Sequence, residues 1–297
     1  MKKIIILILM IISVCVSAQS QNNISNKGIN VSVNTVTSPG LDRPVFTGVT
    51  YSIQAQAYFD RMPVLPASDT LAMFAEFIDS LVSNGKWNKI DVLCVLANRD
   101  TVSAFLNMKG NTFNAVSYST RVFTPYKGWN GNHTSAHLNT NFNPSTASGY
   151  YTLNSGTMSV YNNSNLTSGY TMGVSDGTQK SIIVIQSSTY YAINAGAGLF
   201  INTTSTTIGL TTVTRVASGD YRLYYNGTDV SGIKTHASVG LPNGNIYVGC
   251  YNNIPNGGVD QAQGNQYALY MIGGGLTAQD VADFNSCVQR LKTKIGW

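Results

Sequence analysis

The carboxyl side chains that acid–base catalysis on sugars would need are few in this sequence. Glycoside hydrolysis uses two carboxyl groups about 5 to 10 Å apart, one of which stays protonated. The chain has a single glutamate, Glu76, which shares the polar face of a predicted helix with Asp79, opposite Leu71, Phe74 and Ile78. An aspartate pair remains open, but no two aspartates have a suggestive spacing. The sequence therefore gives little support for a glycoside hydrolase or lyase.

Two histidines have a spacing that metal sites use. His133 and His137 are four residues apart, so both imidazoles would lie on one face of a helix or of a strand. The flanking residues predict a loop that enters a strand, and a metal site would still need a third ligand nearby. Surface or hydrogen-bonded histidines are the favoured interpretation. His236 stands alone, and no serine lies in a Gly-x-Ser-x-Gly elbow, so no catalytic triad is indicated.

Two stretches combine the residue types that bind sugars. A sugar ring stacks its C–H face on tyrosine or tryptophan, while asparagine and aspartate side chains bind its hydroxyl groups. The candidates are Tyr126, Trp129 and Asn130 in one predicted loop, and Tyr251, Asn252 and Asn253 directly after a predicted strand. The alternative interpretation is that most of the 17 tyrosines cover sheet faces and that asparagine is common in loops.

The N-terminus has the pattern of an export signal. Lys2 and Lys3 precede the apolar run 4–12, and residues 16–18 then supply the small side chains that a signal peptidase recognises. Residues 1–18 are therefore predicted to be a signal peptide, cleaved after Ala18. The apolar run is shorter than the roughly 20 residues that span a bilayer, so a retained anchor is not favoured. This predicts a secreted, periplasmic or cell-surface protein with no stable membrane insertion after cleavage.

The four cysteines leave several states open. Cys15 lies within the predicted signal peptide, and its lipidation is an alternative that the preceding residues fit poorly. After cleavage three cysteines remain, and an odd number excludes a complete set of intrachain disulfides. Cys94 lies in an apolar run and is predicted to be a buried small side chain. Whether Cys250 and Cys287 pair is open, because the sequence does not define their geometry.

The charge and composition exclude one class of protein and favour another. The formal charge is +5, and removing the two signal-peptide lysines leaves 16 basic against 13 acidic side chains. The one basic cluster, Arg290, Lys292 and Lys294, closes a predicted helix, where cations suit the helix dipole. Nucleic-acid binding is therefore not predicted. The charged fraction of 10% and the many Asn, Ser, Thr, Gly and Tyr residues are typical of extracellular β proteins.

The hydrophobic patterns divide the mature chain into three parts. Residues 19–50 are polar and are predicted to form a linker that contributes an edge strand. Residues 51–115 are predicted to be a small helical region, whose main helix is capped by Ser68 or Asp69 and stops at Asn84-Gly85. Residues 116–297 are predicted to form a sandwich of strands.

Within that last part, three local signals are clear. The run 182–185 is continuously apolar, as in a strand buried on both faces. Asn226-Gly227 is a hairpin signal of the type I′ turn. Thr277 is predicted to cap a final amphipathic helix, with Asp280 three residues further on.

Three C-terminal segments resemble a known fold family. They are Tyr221–Gly227, then Gly244–Gly249, then Ala268–Gly273 with the helix that begins near Leu276. In their order and spacing they resemble a concanavalin A-like, laminin-G-type jelly roll. The resemblance implies a mainly β fold, a jelly-roll sandwich over residues 116–297 with a small N-terminal helical region and a C-terminal amphipathic helix. The Glu-x-Asp-x-x-Glu motif of the jelly-roll glucanases does not occur.

The resemblance also implies a place for calcium. Laminin-G-like sandwiches often hold this ion through aspartate carboxylates and backbone carbonyls. Asp220, Asp229 and Asp260 lie in turn-like settings suited to that role. The alternative is that they are ordinary turn aspartates, whose side chains accept hydrogen bonds from nearby backbone N–H groups.

A second set of segments resembles a different family. Tyr58–Met62, Trp87–Ala97 and Leu138–Pro144 resemble a module of bacteriophage and prophage virion proteins, often tail or tail-fibre components, in which a helical prelude precedes the same jelly roll. This resemblance implies virion subunits as partners. The signal peptide departs from that pattern, because virion parts normally assemble in the cytoplasm.

Three functional hypotheses follow. The first is a non-catalytic, secreted or surface-exposed jelly-roll module, of phage-derived origin, that binds cell-surface glycans or another surface ligand in adhesion. The second is a structural component of a phage or prophage virion, in its tail or fibre. The third is a glycoside hydrolase or lyase.

Overall fold

The structure, a computed structural model, describes residues 50–119, 122–165, 169–185, 188–202 and 208–297. The predicted signal peptide (1–18) lies outside these ranges, and so does the predicted linker (19–50), apart from Thr50. From Tyr51 to Trp297 the chain forms one compact unit.

Within these ranges the chain forms four α-helices, two short 3-10 helices and 17 strands. The α-helices are α1 (Ile53–Phe59), α2 (Ser68–Ser83), α3 (Thr101–Phe105) and α4 (Ala278–Ile295). The 3-10 helices are Trp87–Lys89 and Ile254–Asn256. The strands are β1 (Ile90–Val95), β2 (Val116–Tyr118), β3 (Val122–Thr124), β4 (Gly128–Asn130), β5 (His137–Asn139), β6 (Gly156–Asn162), β7 (Tyr170–Ser175), β8 (Lys180–Val184), β9 (Ser188–Ala195), β10 (Leu199–Asn202), β11 (Gly209–Ala217), β12 (Asp220–Tyr225), β13 (Thr228–Asp229), β14 (Tyr247–Val248), β15 (Tyr251–Asn253), β16 (Gly258–Asp260) and β17 (Gln266–Gly273).

The strands form two sheets packed face to face. Sheet A has the order β13-β12-β11-β6-β17-β4-β3, with β1 paired to β17. Sheet B has the order β10-β9-β8-β7-β14-β5-β2, and the hairpin β15–β16 joins it at β7. The described strand pairs are antiparallel, except that β15 runs parallel to β7. One apolar core lies between the sheets, and the helices cover the other face of sheet A. The predicted mainly β jelly-roll sandwich, with a small N-terminal helical region and a C-terminal helix, is confirmed.

The central strands of sheet A are buried on both faces, and the sequence of β1 shows how. Val92 and Cys94 point into the core between the sheets, whereas Leu93 and Val95 contact the helical layer. Successive side chains of a strand point to opposite faces, so a continuous apolar run suits a strand that is covered twice. β1 lies within the region 51–115 and joins that region to the sandwich by pairing with β17.

The helices agree with the predicted apolar faces but not with one predicted cap. α2 buries the predicted apolar side chains and stops at Gly85, whose φ is 71°. Ser68 and Asp69 do not cap it, because both already lie inside the helix and Ala67 occupies the N-cap without a side-chain hydrogen bond. α4 begins after Thr277 with the predicted capping box. Among the described helices, none combines the length and apolar character of a membrane span.

The predicted hairpin and the open disulfide question are both resolved. Asn226 and Gly227 have φ values of 47° and 82°, and two positive φ angles are what a type I′ turn requires. The described cysteines Cys94, Cys250 and Cys287 are buried and free. Cys287 lies in the helical layer, so it does not pair with Cys250.

Ion pairs at the first turn of α4 join the helical layer to sheet A. Asp280 forms a capping box with Thr277, and its two carboxylate oxygens accept hydrogen bonds from Nζ of Lys86 and Lys89, each at 2.5 Å. These lysines lie at the two ends of the 3-10 helix that leads into β1. Burial alone would raise the pKa of Asp280, but the hydrogen bonds from both lysines and from Thr277 outweigh it and hold this pKa well below its usual range.

We expect Asp280→Ala to lower the free energy of unfolding by about 2–4 kcal/mol, because it removes one half of the capping box and the carboxylate that binds both Lys86 and Lys89. Because the folded-state pKa is depressed, this contribution is present above the unfolded-state pKa of about 3.9 and is lost as the pH falls below it. Denaturant unfolding of both proteins from about pH 7 down to about pH 2.5 measures both effects.

Asp283→Ala is the matched control. Oδ2 of Asp283 lies 3.0 Å from Nζ of Lys86, but its side chain is 29% exposed, so we expect a loss below about 1 kcal/mol. Equal losses for the two variants near neutral pH would contradict the special position of Asp280.

Candidate functional site

A cleft of about 480 Å³ lies on the face of sheet B that points away from the core between the sheets. Strands β7, β8 and β9 form its floor, and the hairpin β15–β16 forms a wall. The cleft is lined by three tyrosines, two aliphatic side chains, three neutral polar side chains and one lysine. A glycine and a proline lie at its rim.

The floor of the cleft is one face of β8. Ile183 points into the core between the sheets, whereas Ile182 and Val184 point the other way and form a small apolar cluster with the tyrosines of the cleft. Both of these side chains are almost fully buried. The prediction that the run 182–185 is buried on both faces is therefore confirmed for the strand that the structure describes.

The strand register places two tyrosines beside Val184. Tyr170 of β7 and Tyr190 of β9 are its paired neighbours, so the three side chains form a row across the sheet. The hydroxyl of Tyr190 accepts a hydrogen bond from the backbone N–H of Gly198 at 2.8 Å. A Cβ atom at Gly198 would lie 2.2 Å from Cζ of Tyr190, so a larger residue there would displace the ring.

The third tyrosine belongs to the wall. Tyr251 stacks on Tyr170 with ring centroids 4.1 Å apart and planes 28° apart. Its hydroxyl donates to Oδ2 of Asp260 at 3.0 Å, and the amide of Asn253 donates to the same oxygen at 2.9 Å. Because Asp260 lies opposite Tyr251 in the hairpin, one carboxylate holds both side chains of the wall in position.

The wall is attached to the floor by the parallel pairing of β15 with Val174 and Ser175 of β7. The chain reaches this position by reversing after β14 at Gly249, where φ is 88°. A Cβ atom at Gly249 would lie 2.8 Å from the ring of Trp129. The turn that positions the wall therefore packs directly on a core tryptophan.

The tyrosines of the cleft present neutral rings. Burial raises the pKa of Tyr170, and burial together with the hydrogen bond to Asp260 raises the pKa of Tyr251. Both hydroxyls therefore stay protonated at neutral pH. Ser175, Asn253 and Gln261 add hydrogen-bonding groups around them. The lining therefore combines aromatic faces with neutral hydrogen-bonding groups, and it contains no pair of carboxylates of the kind that glycoside hydrolysis uses.

The second predicted sugar-binding stretch lies partly in this cleft. Tyr251 and Asn253 line it, whereas alternation along β15 turns Asn252 to the other side, where its amide donates to the backbone carbonyl of Asn245 at 2.9 Å. Tyr251 is 9% exposed, so it mainly supports the ring of Tyr170. A ligand contact by these residues stays a prediction.

The first predicted stretch lies in sheet A and its central residue is misassigned. Trp129 is fully buried, stacks on Tyr267 with centroids 6.0 Å apart, and donates from Nε1 to Oγ of Ser117 at 3.2 Å. The prediction of an exposed loop tryptophan is wrong, because the segment pairs with β17 as strand β4 and turns the indole into the core.

The two neighbours of Trp129 in that stretch are also outside the cleft. Asn130 accepts a hydrogen bond from the side-chain amide of Gln266 at 3.1 Å. Tyr126 lies in the turn between β3 and β4, and its backbone N–H donates to the carbonyl of Asn98 at 2.8 Å. Both side chains are half-buried, so the structure does not bring them together with Tyr251.

Tyr170, Tyr190 and Lys180 were not identified from the sequence. Each lies at or near the end of a strand. The local sequence pattern predicts that strand but not a binding site. The three side chains meet because β7, β8 and β9 pair in one particular register. The available signal was the pair of consecutive tyrosines, Tyr190 and Tyr191, shortly after the apolar run 182–185.

The three aspartates predicted as calcium ligands are not brought together. Asp220 and Asp229 each form a salt bridge with Arg222 in sheet A, at 3.0 and 3.4 Å, whereas Asp260 binds Tyr251 in sheet B. No group of three or more His, Cys, Asp or Glu side chains in the described part of the chain is arranged to hold a metal ion. The geometry favours the alternative of ordinary turn aspartates.

The two spaced histidines have separate surroundings. His133 lies in a loop with φ 62°. His137 lies in β5 and stacks between Tyr118 and Tyr247, with centroid distances of 5.0 and 4.4 Å. Its Nδ1 lies 2.9 Å from the carbonyl oxygen of Ser135, and burial lowers its pKa. This is the hydrogen-bonded histidine that the favoured interpretation describes.

No protein-family model and no curated protein matches the chain. Among solved structures, the binding domain of botulinum neurotoxin serotype D is 12% identical with a TM-score of 0.48, over 67% of this chain and 52% of that one. Domain 4 of AbnA, an extracellular GH43 arabinanase from Geobacillus stearothermophilus, in complex with arabinotriose, is 14% identical with a TM-score of 0.46, over 66% and 98%. A mutant of Trypanosoma rangeli sialidase displaying trans-sialidase activity is 9% identical with a TM-score of 0.47, over 74% and 39%.

The match with this chain thus covers only about half of the neurotoxin domain structure, 52% of its length. Similarity of this degree does not transfer a ligand or an activity to this chain.

We expect Trp129→Ala to lower the free energy of unfolding by about 3–5 kcal/mol, because it opens a cavity in the core between the sheets. Tyr126→Ala truncates a half-buried aromatic side chain of the same stretch, and we expect a loss of about 1 kcal/mol or less. Urea unfolding of both variants measures the difference. Native-like stability of Trp129→Ala would contradict the buried position of the indole.

Proposed function

We propose that residues 51–297 form a non-catalytic glycan-binding module and that the cleft on sheet B is its binding site. The observation that carries this proposal is the row of Tyr170 and Tyr190 above an apolar floor, bordered by neutral amide and hydroxyl groups. The signal peptide predicted for residues 1–18 supports a secreted or surface-exposed setting, where glycans are at hand as ligands.

Tyrosine rings suit the two-sided chemistry of a sugar. The C–H groups of the sugar pack on the ring face, and its hydroxyl groups turn to polar neighbours. Tyr170 and Tyr190 are half-buried, so they are held by packing and still present surface to a ligand. The stack with Tyr251 and the hydrogen bond from Gly198 hold both rings before a ligand arrives. Binding therefore loses little conformational entropy.

The polar lining supplies donors and acceptors for sugar hydroxyl groups. The amide nitrogen of Asn253 is engaged with Asp260, which leaves its carbonyl oxygen as the acceptor that it offers to the cleft. Oγ of Ser175 accepts from the backbone N–H of Gly177 at 3.2 Å, so its own proton can be donated. A few such groups around an apolar surface are the usual means of orienting a small ligand.

We further propose that the partner is a cell-surface glycan and that the role of the protein is adhesion. A structural virion component, in a tail or fibre, is the competing proposal. Subunit packing uses broad surfaces, on the order of 800 Å² per partner, whereas this site is a concave cleft of about 480 Å³ that fits a small or chain-like ligand. The cleft therefore favours the glycan proposal.

We expect Tyr170→Ala and Tyr190→Ala each to weaken glycan binding at least tenfold. A tenfold change corresponds to about 1.4 kcal/mol, which is about what one aromatic contact contributes. The ligand is taken from a glycan-array screen of the native protein, and isothermal titration calorimetry measures the affinities. Thermal unfolding of each variant checks that it is folded.

Tyr150→Ala is the matched control, because Tyr150 is 46% exposed and lies outside the cleft. Its affinity should equal that of the native protein. A native protein that binds no glycan on the array, and instead assembles into particles, would contradict the proposal and favour the virion component.

A further inference from the structure

The cleft has one charged lining residue, whose charge has no partner among the residues that the structure describes. Among the lining residues only Lys180 is charged, and no described residue forms an ion pair or a side-chain hydrogen bond with its ammonium group. Several other lysines of the described residues have partners: Lys86 and Lys89 pair with Asp280, Lys294 pairs with Glu76, and Lys109 lies 4.6 Å from the ring centroid of Trp87. An ammonium group beside apolar walls loses hydration, and a bound anion would offset that loss.

The carboxylates that adjoin the cleft already accept hydrogen bonds from other groups. Asp260 accepts from two side chains of the wall. Asp176, in the turn between β7 and β8, accepts from the backbone N–H groups of Thr178, Gln179 and Asn243. Neither lies within salt-bridge distance of Lys180. The cleft therefore offers its positive charge to a ligand.

Lys180 lies at the opposite end of the floor from the tyrosine row. It shares the outward face of β8 with Ile182 and Val184, because alternate residues of a strand point to the same side. It pairs with Ser175 of β7. Val184, which Tyr170 and Tyr190 flank, is four residues further along, or roughly 13 Å at about 3.3 Å per residue. That span is wider than one sugar ring.

We propose that the ligand is an anionic oligosaccharide. One of its sugar units stacks on Tyr170 and Tyr190, and Lys180 binds a carboxylate or sulfate group on the neighbouring unit. This inference rests on the proposed glycan-binding function and adds the chemical class of the glycan. A lysine ammonium is a compact charge with three donors, so it binds either anion without the planar geometry that arginine requires. Its attraction is stronger beside low-dielectric walls than in open water.

The test compares three matched oligosaccharides: a polyuronate fragment, its carboxyl-reduced neutral form, and the neutral form after chemical sulfation. Calorimetry with the native protein is run at about 20 and about 200 mM salt, where screening differs strongly. We expect at least one anionic form to bind at least tenfold more tightly than the neutral form, with a smaller advantage at high salt. The uronate and sulfate arms identify which anion is preferred.

Variants at Lys180 locate the charge effect. Lys180→Gln should abolish the anionic advantage and leave binding of the neutral form within about twofold, whereas Lys180→Arg should keep most of the advantage. Lys234→Gln is the matched control, since it removes the same charge outside the cleft and should change the anionic affinity less than about twofold.

The outcomes separate this inference from the function on which it rests. If the native protein binds neutral and anionic forms equally, and Tyr170→Ala weakens both, the anionic ligand is overturned and the glycan site stands. Equal losses in Lys180→Gln and Lys234→Gln would show general attraction and overturn the role of Lys180. If neither these oligosaccharides nor any glycan on the array bind, both proposals fail.

Discussion

Strand β8 carries apolar side chains on both faces, and both faces must be covered. Ile183 is covered by the opposite sheet. Ile182 and Val184 face the other way, and burying such side chains stabilises a fold by about 1.5–3 kcal/mol each. Within the described residues, three tyrosines cover them, one of which belongs to a short hairpin, and no helix or third sheet takes part. Where this cover stops, the cleft begins, so the candidate site is a direct result of how one strand is buried.

Sheet A meets the same requirement in a different way. Its outer face is covered by α2 and α4, whose apolar side chains merge with those of the sheet into one core. Asp280 ties this layer to the start of β1 through Lys86 and Lys89. The helical layer supplies packing and the tyrosine cover supplies a recessed, partly polar surface. The helical layer and the proposed binding surface thus lie on opposite sides of the sandwich.

Tyrosine can serve both burial and recognition because its two ends differ. The ring covers an apolar floor, while the hydroxyl keeps a hydrogen bond, as in Tyr251 with Asp260 and Tyr190 with Gly198. A leucine would cover the floor equally well but would offer a ligand neither a flat face nor a polar edge. Lys180 then adds a charge at the end of the same strand face, so the chemical character of the site follows from alternation along β8.

Features that depend on neighbouring residues in the chain could be predicted from the sequence. The hairpin at Asn226-Gly227, the capping box of α4 and the double burial of the run 182–185 follow from turn preference, helix-end hydrogen bonding and side-chain periodicity, all of which act over a few residues. The burial of Trp129 could not be predicted in this way, because a three-residue strand in a loop-like segment is defined by the distant strand with which it pairs. The cleft could not be predicted either, since Tyr170, Tyr190 and Lys180 come together only through the register of three strands and Tyr251 only through a parallel contact between β15 and β7. Those pairings are set by the summed burial of both sheet faces, which no local pattern contains.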